Sequence, residues 1–415
     1  MNTPIVVLRN NDYCFLGILR SLAAAKAPVV PVIWDWPGAG PWHSETSRHF
    51  RNAETIPNPV SDPTGAVRAL RAIGERLQRQ SGERPFLIPS SDTGLMVVLD
   101  HYEELSMFRL IGSPNFDRPR RDVAHKGHCA TLLAAAGVAI PRTRRCEKPS
   151  DVDRAVRGVP IPALFKPAVK DYGMRFYREH RMAKAVTHTD RPSLRRELRR
   201  AVAAGHPLVV QEQIPLCSVQ DEVPFYAYVD RHHRIRLAST GIKELIIPEP
   251  FGTAAALRLT HHKELLPLAQ GVARALSWRG PLMIEFMRDP RDGRWKVIEV
   301  NTRPWLFNDF FRQCGLDYVG FLVADLRDQL QHYPALTTPS AELLAKRPIH
   351  IDPLALLRAA EPEGAASRVA IQLRSFAGSN SYTYQDSQDP DPYRSRSEEF
   401  RQLLDERQSQ KREAA

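Results

Sequence analysis

PLMIEFMRDPRDGRWKVIEVNTRPW, residues 281–305, is the stretch on which the fold turns. Two runs of alternating apolar and polar residues flank DPRDG, a turn-rich segment, and this pattern predicts a β-hairpin. Side chains alternate faces along a strand. Ile284 and Phe286 therefore share one face of the first strand, with Glu285 on the other. On the second strand Ile298 and Val300 point one way, and Glu299 and Asn301 the other. A turn centred on Asp292 pairs 289 with 295 and, in the same register, sets Glu285 opposite Glu299. Two ionised carboxylates facing each other across a ladder repel, and a divalent cation between them removes the penalty. Mg²⁺ takes carboxylate and amide oxygens and keeps nucleotide phosphates as its other ligands. Glu285, Glu299 and Asn301 are thus candidate metal ligands, with Arg303 close by. The competing reading is a solvated hairpin face with incidental acids.

Working outward, the chain has 415 residues, a prior of roughly three domains at about 150 residues each. Apolar residues at 43% and charged residues at 25% are ordinary globular usage, which excludes wholesale disorder. Lys plus Arg is 58 against 47 acids, a net charge of +11 that points to an anionic partner. The five cysteines (Cys14, Cys129, Cys146, Cys217, Cys314) are dispersed and form no CxxC pair, against both a disulfide framework and a zinc site. A reducing compartment fits this usage. The N-terminus lacks the features of a signal peptide, and no run approaches 18 apolar residues. The expectation is a soluble, cytoplasmic protein without a membrane partner.

Residues 1–120 alternate strands with helices: Ile5–Leu8, Phe15–Ala27, Val29–Trp34, Arg68–Leu77 and Phe86–Ile88. That alternation implies a parallel sheet, whose ligands sit at the carboxyl ends of strands. Arg9, Asn11, Asp12 and Asp92 lie there; Asp12 and Asp92 read equally well as helix caps. No GxGxxG follows the first strand, which argues against a dinucleotide site. Asp122 is placed to cap a helix carrying Cys129, Leu132, Leu133 and Ala136, ended by Gly137. Pro162–Pro167 and Pro207–Ile214 read as strands, with the helical, basic SLRRELRRAVAAG between them. After about residue 335 the character changes. Pro353 opens a helix through Arg358, residues 378–394 are too poor in aliphatic side chains to predict order, and Ser395 with Glu398 forms a capping box for a polar terminal helix.

The hairpin E-F-M-x-D-x-x-x-G-x-x-x-x-I-E-V-N-T-R-P resembles the metal-binding end of the ATP-grasp superfamily. Other motifs follow in that family's order over residues 121–318. Lys126 with LLAAAGVAIPRT resembles the opening lysine and helix, and Lys166 in LFKP resembles the second nucleotide lysine, at the lid. VVQEQIP resembles the hinge strand that brackets adenine, which implies nucleotide contacts at Gln211, Glu212, Gln213 and Ile214. Asp221 or Glu222 falls where the family holds the ribose. Gly241-Ile242-Lys243-Glu244, then Pro248 and Gly252, resembles the segment before the hairpin. The N-terminal unit resembles the pre-grasp domain of the carboxylate–amine ligase branch, which includes D-aspartate ligase-like and carbamoyl-phosphate-synthase-like folds.

The resemblance implies an α/β fold in three parts. These are a parallel-sheet pre-ATP-grasp domain (1–120), a two-subdomain ATP-grasp domain (121–335, lid about 160–212), and a helical, partly disordered tail (336–415). It implies ATP with Mg²⁺, or Mn²⁺ in its place, and a ligase that joins a small-molecule carboxylate to an amine through an acyl phosphate. Lys243 and Arg303 then steady the transferring group. The lid stretch 168–175 has a single glycine, Gly173, where the family is often glycine-rich; Lys170 and Arg175 offer side-chain charge instead. The alternatives are an ATP-grasp carboxylase or carbamoyl-phosphate-type enzyme, and a basic nucleic-acid binder. The second is disfavoured, because the basic residues lack interleaved aromatics and no RNP1, zinc-finger or GXXG motif is present. A homodimer is compatible with the sequence but nothing in it requires one.

Overall fold

Ile5–Leu8 forms strand β1, every side chain of which is buried, as a central parallel strand covered on both faces requires. Ile5 and Val7 pack against Phe15, Ile18 and Leu22 of the helix Asp12–Ala24, while Val6 and Leu8 pack against Leu70, Ile73 and Leu77 of the helix Pro63–Ser81. Period two on the strand meets period 3.6 on the helices, giving two layers of core. Strands β2 (Val29–Ile33), β3 (Glu54–Thr55), β4 (Phe86–Pro89) and β5 (Arg109–Leu110) complete an all-parallel sheet of order β3-β2-β1-β4-β5. The structure is a computed structural model and describes residues 3–34, 40–169, 175–180, 183–247, 252–359, 376 and 378–413. Lys170, Gly173 and Pro248 lie outside the described residues.

Strands β6 (Thr143–Cys146), β7 (Ala163–Pro167), β8 (Val186–His188) and β9 (Leu208–Glu212) make a second, antiparallel sheet of order β6-β9-β7-β8. The helix Arg191–Ala203 backs it, burying Leu194, Leu198, Ala201 and Val202 and turning most of its arginines to solvent. This sheet begins at Thr143, where β6 pairs with β9.

The third sheet holds β10 (Glu222–Val229), β11 (Ile235–Ile247), β12 (Thr253–Thr260), β13 (Gly280–Arg288), β14 (Trp295–Asn301), β15 (Ile349–Ile351) and β16 (Asn380–Tyr382). Its order is β14-β13-β10-β11-β12-β15-β16, antiparallel except for the last pair. Two of these strands come from the segment read as a tail.

That segment differs most from expectation. Residues 378–394 are ordered around Tyr384 and Asp389, both buried. The Asp389 carboxylate accepts from Arg20 Nε at 2.9 Å, Arg20 Nη1 donates to Asp309 at 2.6 Å, and Arg20 Nη2 donates to the carbonyls of Tyr384 and Asp389. Buried charge pairs, rather than aliphatic burial, anchor the segment, so a composition argument misses it. The terminal helix runs Asp391–Glu413. Ser395 therefore lies inside it and, instead of capping, meets His43 Nδ1 at 2.9 Å. A similar shift befalls Asp122, which pairs with Arg120; the helix Lys126–Ala135 is capped by His125, whose Nδ1 accepts from the N–H groups of Gly127 and His128.

Candidate active site

The β13–β14 hairpin places Glu285 opposite Glu299, flanked by the pairs Ile284–Val300 and Met283–Asn301. The register reaches that pairing by a different route from the one expected. Trp295 pairs with Arg288 and Val297 with Phe286, and Ile298 is then left over as a β-bulge between the two halves of the ladder. Val297 rather than Ile298 joins Phe286 in the core. A bulge re-aims backbone as well as side chains, and the Ile298 carbonyl accepts a 3.1 Å hydrogen bond from Lys166 Nζ.

Three lysines from three elements converge on the two acids. Lys126, at the start of its helix, reaches Glu299 Oε1 at 3.6 Å, and Lys166 on β7 reaches Glu299 Oε2 at 3.9 Å. The helix start is tied to the end of β7 by a 2.8 Å bond from the Lys126 N–H to the Ala168 carbonyl. Lys243 on β11 sits 2.5 Å from Glu222 and 3.3 Å from Glu285. Burial works to raise the Glu299 carboxyl, but Lys126 and Lys166 outweigh it and hold it down to about 2. Burial works to lower Lys243, and Glu285 with Glu222 reverse that, keeping its ammonium firmly protonated. Lys166 ends below the usual lysine value because burial and the neighbouring Lys126 outweigh Glu299. Asn301 lies on the same strand, its amide nitrogen 3.9 Å from Met283 Sδ.

Lys126, Lys166, Gln211 and Glu299 line one cleft of about 410 Å³, open mouth included, with Cys129 and Leu133 among its apolar walls. A larger open groove of about 850 Å³, bordered by Arg145, Lys148 and Arg154, shares none of these residues. On β9, Gln211 Nε2 donates to Thr143 Oγ1 at 3.1 Å. The Glu212 carboxylate is taken by Arg291 at 2.7 Å and by the Arg142 N–H at 3.1 Å. Gln213 N–H binds the Pro162 carbonyl at 3.0 Å, and Ile214 is buried just beyond. Asp221 closes a short 3₁₀ turn, and Glu222, the other acid considered for the ribose, pairs with Lys243.

The N-terminal loops reach this end of the hairpin. Arg303 forms a bidentate pair with Asp92, at 2.6 and 2.8 Å, the geometry in which guanidinium and carboxylate match best. Asn11 and Ser91 cap the helices that follow β1 and β4. Asp12 and Asp92, one residue further on, are thereby left for other partners. Asp12 accepts from the Ser44 N–H and from Tyr384 OH, each at 3.0 Å. Tyr384, Ser44 and the Ile298 carbonyl carried no signal in the sequence, since each is brought in by tertiary contacts of segments without a motif. Among the described residues, His125, His128 and Glu147 also cluster with ligand atoms within 4.8 Å. This group is poorly suited to a metal: Nδ1 of His125 accepts backbone hydrogens, which places its ring proton on the Nε2 that a metal would need.

A parallel sheet, a four-stranded antiparallel sheet and a larger antiparallel sheet bordering a lysine- and carboxylate-lined cleft give this chain an ATP-grasp-like fold. No family model matches it. Its sequence is similar to D-aspartate ligase of Enterococcus faecium (strain Aus0004), 24% identical over 289 residues, a match that spans 66% of this chain and 66% of that protein, just under two thirds. The fold is similar to that of N5-carboxyaminoimidazole ribonucleotide synthetase (purK) in its ADP complex, with TM-score 0.54, 13% identity, and coverage of 78% of this chain and 76% of that one. The L-amino acid ligase from Bacillus licheniformis gives a TM-score of 0.53 at 16% identity, covering 80% and 74%. Biotin carboxylase from Campylobacter jejuni gives 0.54 at 12%, covering 77% and 70%. No helix among the described residues is long and apolar enough to cross a membrane.

Proposed function

We propose that this protein is an ATP-dependent ligase that joins a carboxylate to an amine through an acyl phosphate. The observation that carries the reading is the convergence of Lys126, Lys166 and Lys243 on the facing pair Glu285 and Glu299. The contacts from Lys126 and Lys166 to Glu299 are longer than hydrogen bonds, so phosphate oxygens can replace them without breaking one. Glu285, Glu299 and Asn301 are hard oxygen donors and fit Mg²⁺ or Mn²⁺. When bound, such an ion supplies charge neutralisation on the phosphoryl group.

In this reading a carboxylate oxygen of the substrate attacks the γ-phosphorus of ATP, the bond to the β-phosphate oxygen breaks, and ADP leaves. The amine nitrogen then attacks the acyl carbon, phosphate leaves, and the nitrogen loses a proton. Lys126 and Lys166 hold the phosphates. Lys243, kept charged by Glu222 and Glu285, and Arg303, fixed by Asp92, face the transferring group and cost no reorganisation when charge develops. Glu299→Ala tests the site: ADP release and amide formation should be lost while the thermal melt stays cooperative, and full activity in the variant would sink the assignment. The substrates are sought by incubating the protein with ATP and pooled amino acids and carboxylates, then searching by mass for a condensed product. Bicarbonate-dependent ADP release without an amine would instead favour a carboxylase.

A further inference from the structure

Two arginines are buried in the N-terminal unit, Arg9 just after β1 and Arg20 in the helix that follows it, and they are treated differently. Arg20, 3% exposed, is saturated by two carboxylates and two carbonyls. Arg9, 2% exposed, stands at the carboxyl end of β1 and has one ion pair among the described residues, from Nη1 to Glu45 at 2.6 Å. Its Nε–H has no hydrogen-bond partner among the described residues. One face of the guanidinium lies over the Trp42 ring at 4.3 Å, with Phe50 at 5.7 Å. The Glu45 side chain is itself 45% exposed, so water competes for it and the pair is weak and exchangeable. A buried cation whose counter-ion sits half in solvent, and which keeps a donor unused, is a preformed seat for an anion.

The surrounding frame is rigid. Ser44 is bonded to Asp12, Ser47 Oγ donates to Asp389 at 2.7 Å, and the His43 ring is bonded to Ser395 and Glu399 of the terminal helix. Exchange at Arg9 therefore needs only the Glu45 side chain to swing out. The neighbouring loop carries the Asp92 that grips Arg303, and the Ser90 hydroxyl accepts from the N–H groups of Asn10 and Asn11. Arg9 is thus tied to the ligand end of the sheet.

We infer that Arg9 is a specificity-determining residue that binds an anionic group of the substrate, a carboxylate or a phosphate other than the carboxylate being activated, and that Glu45 occupies its place until the substrate arrives. The inference rests on the ligase reading for the identity of the site, but its test reads binding without turnover. Thermal shifts of the full-length protein are titrated with succinate, D- and L-aspartate and O-phospho-L-serine, with L-alanine as the neutral control, each with and without a non-hydrolysable ATP analogue.

Wild-type protein should be stabilised by the acids and not by alanine. Arg9→Met and Arg9→Lys should raise the half-saturating concentration by about tenfold or more, the scale of a lost charge-assisted bond. Glu45→Gln, which removes the competing anion, should lower it. The opposite signs separate a binding role from mere loss of fold. A response to the carboxylates identifies the anion as a carboxylate, and one to phosphoserine alone as a phosphate. Equal stabilisation by alanine, no stabilisation by any acid, or unchanged binding in the Arg9 variants overturns the inference. Absence of ADP release with binding intact would count against the ligase reading alone.

Discussion

At the scale of single residues, Asp309→Ala leaves the Arg20 guanidinium short of one of its two carboxylates inside the core. Breaking a buried pair from one side costs about 3–5 kcal/mol, and urea unfolding should show a loss of that order. His350 supplies the pH dependence. Burial holds its imidazole down to about 4, from an ordinary 6.5, between Tyr13 and Thr383. Between those values the unfolded chain takes up a proton that the folded one refuses. The contribution is therefore complete above pH 6.5 and is lost as the pH falls toward 4. By pH 5 the loss is about 2 kcal/mol, at about 1.4 kcal/mol per unit. His350→Phe should lose about that much less stability than wild type between pH 7.5 and pH 5, compared by urea midpoints. The facing of Glu285 and Glu299 was legible from strand alternation, whereas Lys126, Lys166 and Lys243 were singled out only by the family resemblance. Arg9 was legible only as a position at a strand end; nothing in the sequence shows that its Nε–H lacks a partner among the described residues.

At the scale of elements, the hairpin combines a correct pairing with a misplaced turn. Period two specifies which residues share a face, so Glu285 and Glu299 meet. It is blind to an extra residue, because a bulge restores the alternation on its far side. That has a consequence for engineering. Deleting Ile298 keeps Phe286 opposite Val297 and Glu285 opposite Glu299, so the sheet should form and the melting temperature should move little. The deletion nonetheless removes the carbonyl that Lys166 holds and the local kink that aims Glu299. On the proposed function, ADP release should fall at least about tenfold. Unchanged activity would show that the bulge is incidental. The body of the helix Arg191–Ala203 was legible as SLRRELRRAVAAG, while its start at Arg191 and its Asp190 cap were not read, although both follow the ordinary rules. The start of the Lys126 helix was not legible, because histidine is an uncommon cap.

At the scale of the whole molecule, the C-terminal segment belongs to the body of the protein. It adds β15 and β16 to the largest sheet, closes the Arg20 cluster, and places Tyr384 OH on Asp12. A chain stopped at residue 376 should aggregate or unfold without a cooperative transition, measured by scanning calorimetry, whereas a true tail could be removed at no cost. Composition hides this arrangement: GSNSYTYQDSQDPDPYR offers little for an aliphatic core, its buried residues are Thr383, Tyr384, Asp389 and Pro392, and Tyr384 and Asp389 find Asp12 and Arg20 hundreds of residues away.

The Arg20–Asp389 contact spans 369 positions of the chain, and this sets a schedule for biosynthesis. At about 5–20 residues per second, Asp389 leaves the ribosome roughly 20–75 s after Arg20. Throughout that interval the first helix carries a guanidinium whose final counter-ion does not yet exist. The N-terminal unit must wait, half-made, until residue 389 has emerged.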